Sequence, residues 1–366
     1  MSKGRIAIFG AGHIGKAFYQ MMGDVFGYNP TLPSFVVDSN PHNDFQIHFS
    51  DYVQLDVNTS TKESISDLLI SRGAKYVINA LPFFLNERLA WAAREAKCHY
   101  IDFTEDDIQA DLVQKIYLAS KEKLTCAVKC GLAPGFVNYI GHDLVNQIYS
   151  PETLTVCVGA LPRIIAYNDK NPENSYNLTW SIDGLVNQYI RPCRVKRNGH
   201  IDSVKPLGNQ TKVIIDGLEY EAAWTSGGVG NLVDELSIPN IQYMTLRYPG
   251  HFDYIRRVLQ ITGNDFEKTK TFFKEAFPRT NDDVIVVYAE CIGKDQEGNL
   301  IRRGYSDKFY GIHQFTAIQS TTAGAGLAIL EMILENKISG IVNHSDVRIH
   351  NFDNTRSYKQ FYHRSK

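Results

Sequence analysis

The stretch Arg5 to Gly15, RIAIFGAGHIG, limits the fold more than any other part of the chain. Arg5 to Phe9 is a short apolar run that reads as a strand, and Gly10, Gly12 and Gly15 follow at once in a G-x-G-x-x-G spacing. Ile14, Ala17, Phe18, Met21 and Met22 then recur at steps of one, three and four, the spacing of a helix. In such a turn each glycine has its own task. The first permits the sharp exit from the strand, the second lets a pyrophosphate approach bare backbone, and the third lets helix and sheet pack closely. The free N–H groups and positive dipole end of the helix then face the phosphates.

A second apolar run, FVVD, ends at Asp38, close to the offset of about 20 residues past the third glycine expected of a ribose-binding carboxylate. An acid there accepts from the ribose hydroxyls and repels a 2′-phosphate. Ser39, Asn40 and Pro41 bring no arginine to offset that repulsion, so the expected cofactor is NAD rather than NADP.

A length of 366 residues suggests about two domains. A formal charge of −2 gives no electrostatic case for nucleic acid or an anionic membrane. The chain starts straight into a strand with no signal-like segment, and no apolar run is read as approaching the roughly 18 residues of a spanning helix. The six cysteines are scattered without a C-x-x-C pair, which reads as free thiols in a reducing cytoplasm with no metal site.

Alternating strands and helices continue to about residue 150, the mark of a doubly wound α/β sheet. DYVQLDV at 51–57 places Asp56 and Val57 beside an adenine, although Asp56 reads equally as a solvated loop acid. KYVINALPFF ends a strand at Asn79, Ala80, Leu81 and Pro82, where ligands collect in an open parallel sheet. CHYIDFTED ends at Asp102, either an acid–base group or a cap for the next helix, a task Thr104 or Glu105 could also take. KCGLAPGFVNYIG, 129–141, makes a turn at Gly131, Pro134 and Gly135 before another helix. The expected dinucleotide contacts are therefore Gly10, Gly12, His13, Ile14, Gly15, Asp38, Ser39, Asp56, Val57, Asn79, Ala80, Leu81, Pro82 and Pro134.

Past Pro151 the pattern changes. TLTVCVGALP, an Asn198–Gly199 hairpin, KVIID at 212–216 and DDVIVVYAECIG at 282–293 read as antiparallel strands, with helices near 250–262 and 265–277 and a polar loop at 167–175. The expected domains are 1–136 for the dinucleotide, 137–318 for substrate and dimerisation, and 319–366 returning to the first domain. An apolar helix near Gln319 to Leu334 opens that last segment, and the tail after His350 is polar and loosely held.

The series GAGHIG, VINALPF, YIDFTED, GLAPGFVN, VGALP, NLTWSIDGLVNQYI, TSGG and TLRYPGH, in that order, resembles the saccharopine dehydrogenase-like family, its lysine 6-dehydrogenase branch most of all. Gln188 stands where that family suggests an acid, and Lys129–Cys130 precede the GLAPG turn. The resemblance implies a Rossmann domain with an inserted, mainly antiparallel α+β second domain, a homodimer, and NAD(P)-dependent chemistry on the C–N bond of an amino acid. A carboxynorspermidine-type imine reductase acting on a polyamine and a non-catalytic dinucleotide sensor are the alternatives. Arg247 in LRYPGH offers a planar fork for an amino acid carboxylate. His251 is either a proton shuttle or the start of a helix, and Trp180, Ser181 and Tyr189 line a pocket or a core. Asp102 and His251 are the candidate bases.

Overall fold

The computed structural model describes residues 4–27, 33–41, 51–163 and 176–364, so the loop expected at 167–175 lies outside the described residues. The chain divides into two units, Met1–Phe136 with Thr321–Tyr362, and Val137–Ser320 with His363–Lys366.

In the first unit the chain runs through β1 (Arg5–Phe9), α1 (His13–Phe26), β2 (Ser34–Asp38), β3 (Tyr52–Gln54), α2 (Lys62–Ser71), β4 (Ala74–Asn79), α3 (Asn86–Glu95), β5 (His99–Asp102), α4 (Asp107–Leu118) and β6 (Cys126–Ala127). The sheet is parallel throughout, in the order 341–342, β6, β5, β4, β1, β2, β3. Ile6 to Phe9 are wholly buried, which is why the central strand is apolar on both faces rather than alternating. The chain steps from β1 out to β3 and returns to β4 on the other side of β1. Strand order reverses there, and a crevice opens at the carboxyl ends of β1 and β4. Side chains cap the helices around it, Thr61 for α2 and Asp106 for α4, so the cap expected of Asp102, Thr104 or Glu105 falls to Asp106.

The second unit follows α5 (Phe136–Asn146) with β7 (Ser150–Pro162), α6 (Ile182–Ile190), β8 (Cys193–Arg197), β9 (His200–Val204), β10 (Thr211–Ile215), β11 (Leu218–Trp224), α7 (Leu232–Glu235), β12 (Asn240–Arg247), α8 (His251–Thr262), α9 (Phe266–Ala276), β13 (Asp283–Lys294) and β14 (Leu300–Tyr310). The main strand order is β10-β11-β12-β7-β13-β14, with the β8–β9 hairpin on β12. Most pairs are antiparallel, but β7 and β12 run parallel at the centre. No hairpin can make a parallel pair, and the long crossover through α6 and four other strands supplies the return. Apolar faces of α6, α8 and α9 share one core with Ala223 of the sheet.

The chain then forms α10 (Ala317–Leu334), β15 (Ile341–Val342), α11 (Ile349–Asp353) and α12 (Arg356–Phe361). Two expectations change here. Helix α10 has 18 residues and a mean hydropathy of 1.3, so by length and composition it could cross a membrane, yet 78% of it is buried inside the protein, which accounts for its apolar make-up. The tail after His350 is not loosely held. Phe352 and Phe361 are fully buried, Phe136 stacks near Phe352 with centroids 5.5 Å apart, and Glu331 of α10 accepts from Arg356 and Ser357. Two helices of five and six residues are too short to show a periodicity in sequence. Beyond them, Tyr310 donates its N–H to His363 O at 3.1 Å, which draws the last residues to the second unit.

Candidate functional site

The glycine turn of the first unit has the shape its spacing predicts. Gly10 has φ +97°, and a Cβ there would stand 2.8 Å from Ala80 O. A Cβ on Gly15 would stand 1.8 Å from Gly10 O, so α1 can approach the turn only with glycine there. Around Gly12 the space is open, and no side chain caps the helix that starts at His13. The backbone of His13 and Ile14 belongs to the donor end of α1.

Beside this turn lies a cavity of about 360 Å³. Gly10, Gly12, Asp38, Ser39, Asp56, Val57, Ala80, Leu81 and Pro82 line it, together with Val37, Asn40, Leu55, Asn58, Phe84 and Leu85. Asp38 accepts from Ala11 N–H at 2.6 Å through Oδ2, and from the backbone and side-chain N–H groups of Asn40 at 2.9 Å through Oδ1. The acid is thereby locked to the glycine turn from one side and to its own loop from the other. Asp56 accepts from Asn58 N–H at 2.8 Å. Two acids and no lysine or arginine are among the lining residues. Open space at Gly12, a helix donor end and an anchored carboxylate suit a dinucleotide.

His13, Ile14, Gly15, Asn79 and Pro134 do not line the cavity. Asn79 is committed internally: its Nδ2 donates to Asn86 Oδ1 at 2.8 Å and to the Tyr100 hydroxyl at 2.7 Å, and its Oδ1 accepts from Leu81 N–H at 3.0 Å. That bond shapes the β4 exit on which Ala80 to Pro82 sit. Pro134 belongs to the turn after β6, where its carbonyl accepts from Gly131 N–H at 3.0 Å.

Asp102 is 1% exposed and works as a tie between strand ends. It accepts from Thr104 N–H at 3.1 Å, from Lys129 N–H at 2.9 Å and, at 3.5 Å, from Asn86 Nδ2. Burial pushes its carboxyl up to about 6 against the pull of those donors. The group is thus occupied by the fold, which speaks against its use as a base. Three residues further on is a carboxyl that the sequence reading passed over except as a cap. Glu105 has no hydrogen-bond partner among the described residues, and burial pushes it up to about 7. A desolvated carboxyl of that kind is typical of acid–base groups.

In the second unit Arg247, Tyr189 and His251 come together. Arg247 is 1% exposed. Its Nε donates to the Tyr189 hydroxyl at 3.0 Å, Nη1 to Leu246 O at 2.9 Å and Nη2 to Gln188 Oε1 at 3.3 Å. The guanidinium lies over the ring of Tyr176, 5.0 Å from its centroid. No carboxylate pairs with it among the described residues. Since guanidinium only donates, the Tyr189 hydroxyl accepts from it and is left to donate to His251 Nε2 at 2.9 Å. Burial, with Arg247 adding to it, keeps His251 well below its usual range, so it stays neutral near pH 7 and is poorly suited to shuttle protons there. It begins α8, whose first N–H groups are met by Glu221: Oε1 accepts from Phe252 at 2.6 Å and Oε2 from Gly250 at 3.1 Å.

Trp180 joins this cluster by donating Nε1–H to the Tyr176 hydroxyl at 3.3 Å. Ser181 is exposed and caps α6 by accepting from Gly184 N–H at 3.3 Å. Sequence reasoning missed Tyr176, Gln188 as a guanidinium partner, and Glu221. The NQYI segment carried the signal for Gln188, which faces Arg247 where an acid was expected.

The first unit is a nucleotide-binding domain of the doubly wound class, and the second holds a buried guanidinium with no carboxylate partner among the described residues. Residues 6–128 match the saccharopine dehydrogenase NADP binding domain, and residues 131–361 match the saccharopine dehydrogenase C-terminal domain. The chain belongs to the saccharopine dehydrogenase family. Among solved structures it is similar to apo saccharopine dehydrogenase (L-Glu forming) from Saccharomyces cerevisiae, at 12% identity and a TM-score of 0.72 over 95% of this chain and 96% of that one. It is also similar to homospermidine synthase from Legionella pneumophila in complex with NAD, at 13% identity and a TM-score of 0.65 over 98% and 90%. At these identities the likeness is one of fold.

Proposed function

We propose that the chain is an NAD-dependent oxidoreductase acting on the CH–NH or CH–NH2 group of an amino acid, of the lysine 6-dehydrogenase or saccharopine dehydrogenase type. The observation that carries this reading is Arg247. A guanidinium buried to 1% exposure without a carboxylate among the described residues calls for an anionic partner, and the carboxylate of an amino acid fits its fork. Family membership supplies the dinucleotide domain. The choice of NAD over NADP rests on Asp38 and Asp56 in a cavity whose lining has no cation.

Bound NAD supplies the hydride acceptor. The chain's own residues do the rest. The turn at Gly10 to Gly15 would hold the pyrophosphate, and Asp38 would accept from the adenosine ribose. Arg247 holds the substrate carboxylate, with Tyr189 and Gln188 fixing the plane of its fork. Tyr189 is held in turn by neutral His251, which acts as a positioning residue. The substrate carbon loses a hydride and its nitrogen loses a proton, leaving an imine that water opens to a carbonyl and either ammonia, from CH–NH2, or an amine, from CH–NH. In the first unit, Glu105 is a carboxyl whose desolvation suits it to acid–base work.

The test is a turnover screen. Protein and NAD are mixed with L-lysine, saccharopine or a polyamine, and the absorbance of reduced nicotinamide is followed. Turnover of an amino acid donor supports the reading. Tight NAD binding with no turnover of any amine removes it and favours a sensor.

A further inference from the structure

We propose that the second unit holds a separate binding site for a small organic anion with an aromatic body, set in the face of its sheet opposite Arg247. Neighbouring residues of a strand point to opposite faces, so Leu246 turns away from the face that carries Arg247. Leu246 shares a core with Tyr220, Tyr248, Val284 and Val286. Val286 is paired with Lys308 and Val284 with Tyr310, so these two side chains of β14 stand on the same face.

The strand order separates β14 from β10 by four strands. Even so, Lys308 Nζ lies 3.0 Å from Asp216 Oδ2 and donates to Ile215 O at 3.4 Å. The sheet therefore curls until its two edges meet, and this face is concave. The hollow has a volume of about 510 Å³, within the range of about 300–1000 Å³ typical of small-molecule sites. Tyr220, Tyr248 and Tyr310 form its walls, Lys308 and Arg163 its cationic groups, and no carboxylate is among the residues lining it.

The tyrosines set the body of the ligand. Tyr220 and Tyr248 stack with centroids 5.9 Å apart and are 2% and 9% exposed, so they form an apolar floor, and the ring open to a ligand is the half-buried one of Tyr310. The cations set the head group. The Lys308 side chain is 12% exposed, and its partner Asp216 is 69% exposed, so a ligand carboxylate can take the place of that screened acid. The Arg163 side chain is 61% exposed, with its guanidinium over the Tyr310 ring at 5.7 Å and only a loose 3.7 Å approach to Asp282. Ring and guanidinium together form a clamp for an aromatic carboxylate.

The experiment is calorimetry on the full chain with 4-hydroxybenzoate, and with inorganic phosphate and benzyl alcohol as probes of the head group and the ring alone. Measurable 4-hydroxybenzoate binding, weakened at least tenfold by Arg163→Ala and by Lys308→Met and unchanged by Arg247→Met, supports the site. Arg163 is on the exposed rim, so its variant reports even if Lys308→Met fails to fold. Absence of binding at millimolar probe overturns the proposal. So does binding that Arg163→Ala leaves intact, that Arg247→Met abolishes, or that phosphate or benzyl alcohol matches.

Discussion

Replacing Arg247 with methionine separates a substrate anchor from a structural arginine. Methionine keeps much of the apolar stem and removes the fork. In the free protein the change deletes the donors to Tyr189, Leu246 O and Gln188, while Tyr189 keeps His251 at 2.9 Å. A hydrogen bond to a charged group contributes about 1.5–3 kcal/mol, which is about ten- to 150-fold in an equilibrium or rate. If the fork holds a substrate carboxylate, kcat/KM for L-lysine falls by at least that factor, and mostly through KM. Cadaverine, the same amine without the carboxylate, loses little. The ratio of kcat/KM for lysine over cadaverine is therefore the quantity to measure, because a loss of general stability affects both donors alike. Dinucleotide affinity should stay within about twofold, and Arg247→Lys should recover only part of the ratio, having the charge without the bidentate geometry. A lysine-to-cadaverine ratio that survives Arg247→Met refutes the anchor and leaves Arg247 as a core cation.

Asp38→Ala should weaken NAD by about tenfold and shift the NAD-to-NADP affinity ratio toward NADP by at least as much; an unchanged ratio by calorimetry means the acid is not at the ribose. Burial places Glu105 near 7, so its basic form grows as pH rises through that value. Accordingly kcat/KM should climb with pH up to about 7 and then level, and a Glu105→Gln variant that keeps the same limb dismisses Glu105 as the base. Glu331 is buried, which raises its carboxyl, but the donors of Arg356 and Ser357 outweigh this and hold it below its usual value. Its stabilising effect is thus present above the unfolded carboxyl range and is lost as pH falls through the folded value. Glu331→Ala should cost about 2–4 kcal/mol in urea unfolding at neutral pH, and a change below about 0.5 kcal/mol would mean the C-terminal helices dock without it.

What could be read from the sequence was local. The turn at Gly10 to Gly15 declares itself because backbone geometry forbids a side chain there, and Asp38 follows from the end of an adjacent strand. Arg247 stood out through the proline and glycine beside it. The uses of Asp102 and Glu105 could not be separated, because both are acids at one strand end. Only tertiary packing decides that Asp102 meets three N–H donors while Glu105 meets none among the described residues. His251 looked like a titrating group because its pattern does not reveal a ring enclosed next to a guanidinium. The short helices after His350 escaped notice because five or six residues cannot show a period, and their aromatic anchors are spaced by the cap at Thr355. The parallel β7–β12 pair is a long-range choice with no local mark.

The discontinuous make-up of the first unit has a consequence for biosynthesis. Its edge strand β15 pairs with β6, at Ile341 with Cys126 and Val342 with Ala127, yet the ribosome makes nearly all of the second unit, Val137–Ser320, between them. At about 5–20 residues per second, β6 emerges on the order of ten to forty seconds before its neighbour exists. Through that interval a strand destined for the interior is an open edge, a template for pairing with another nascent chain. A gene cut after residue 136 would make the interval permanent, and the orphaned half should gather into aggregates rather than persist as a free nucleotide-binding domain.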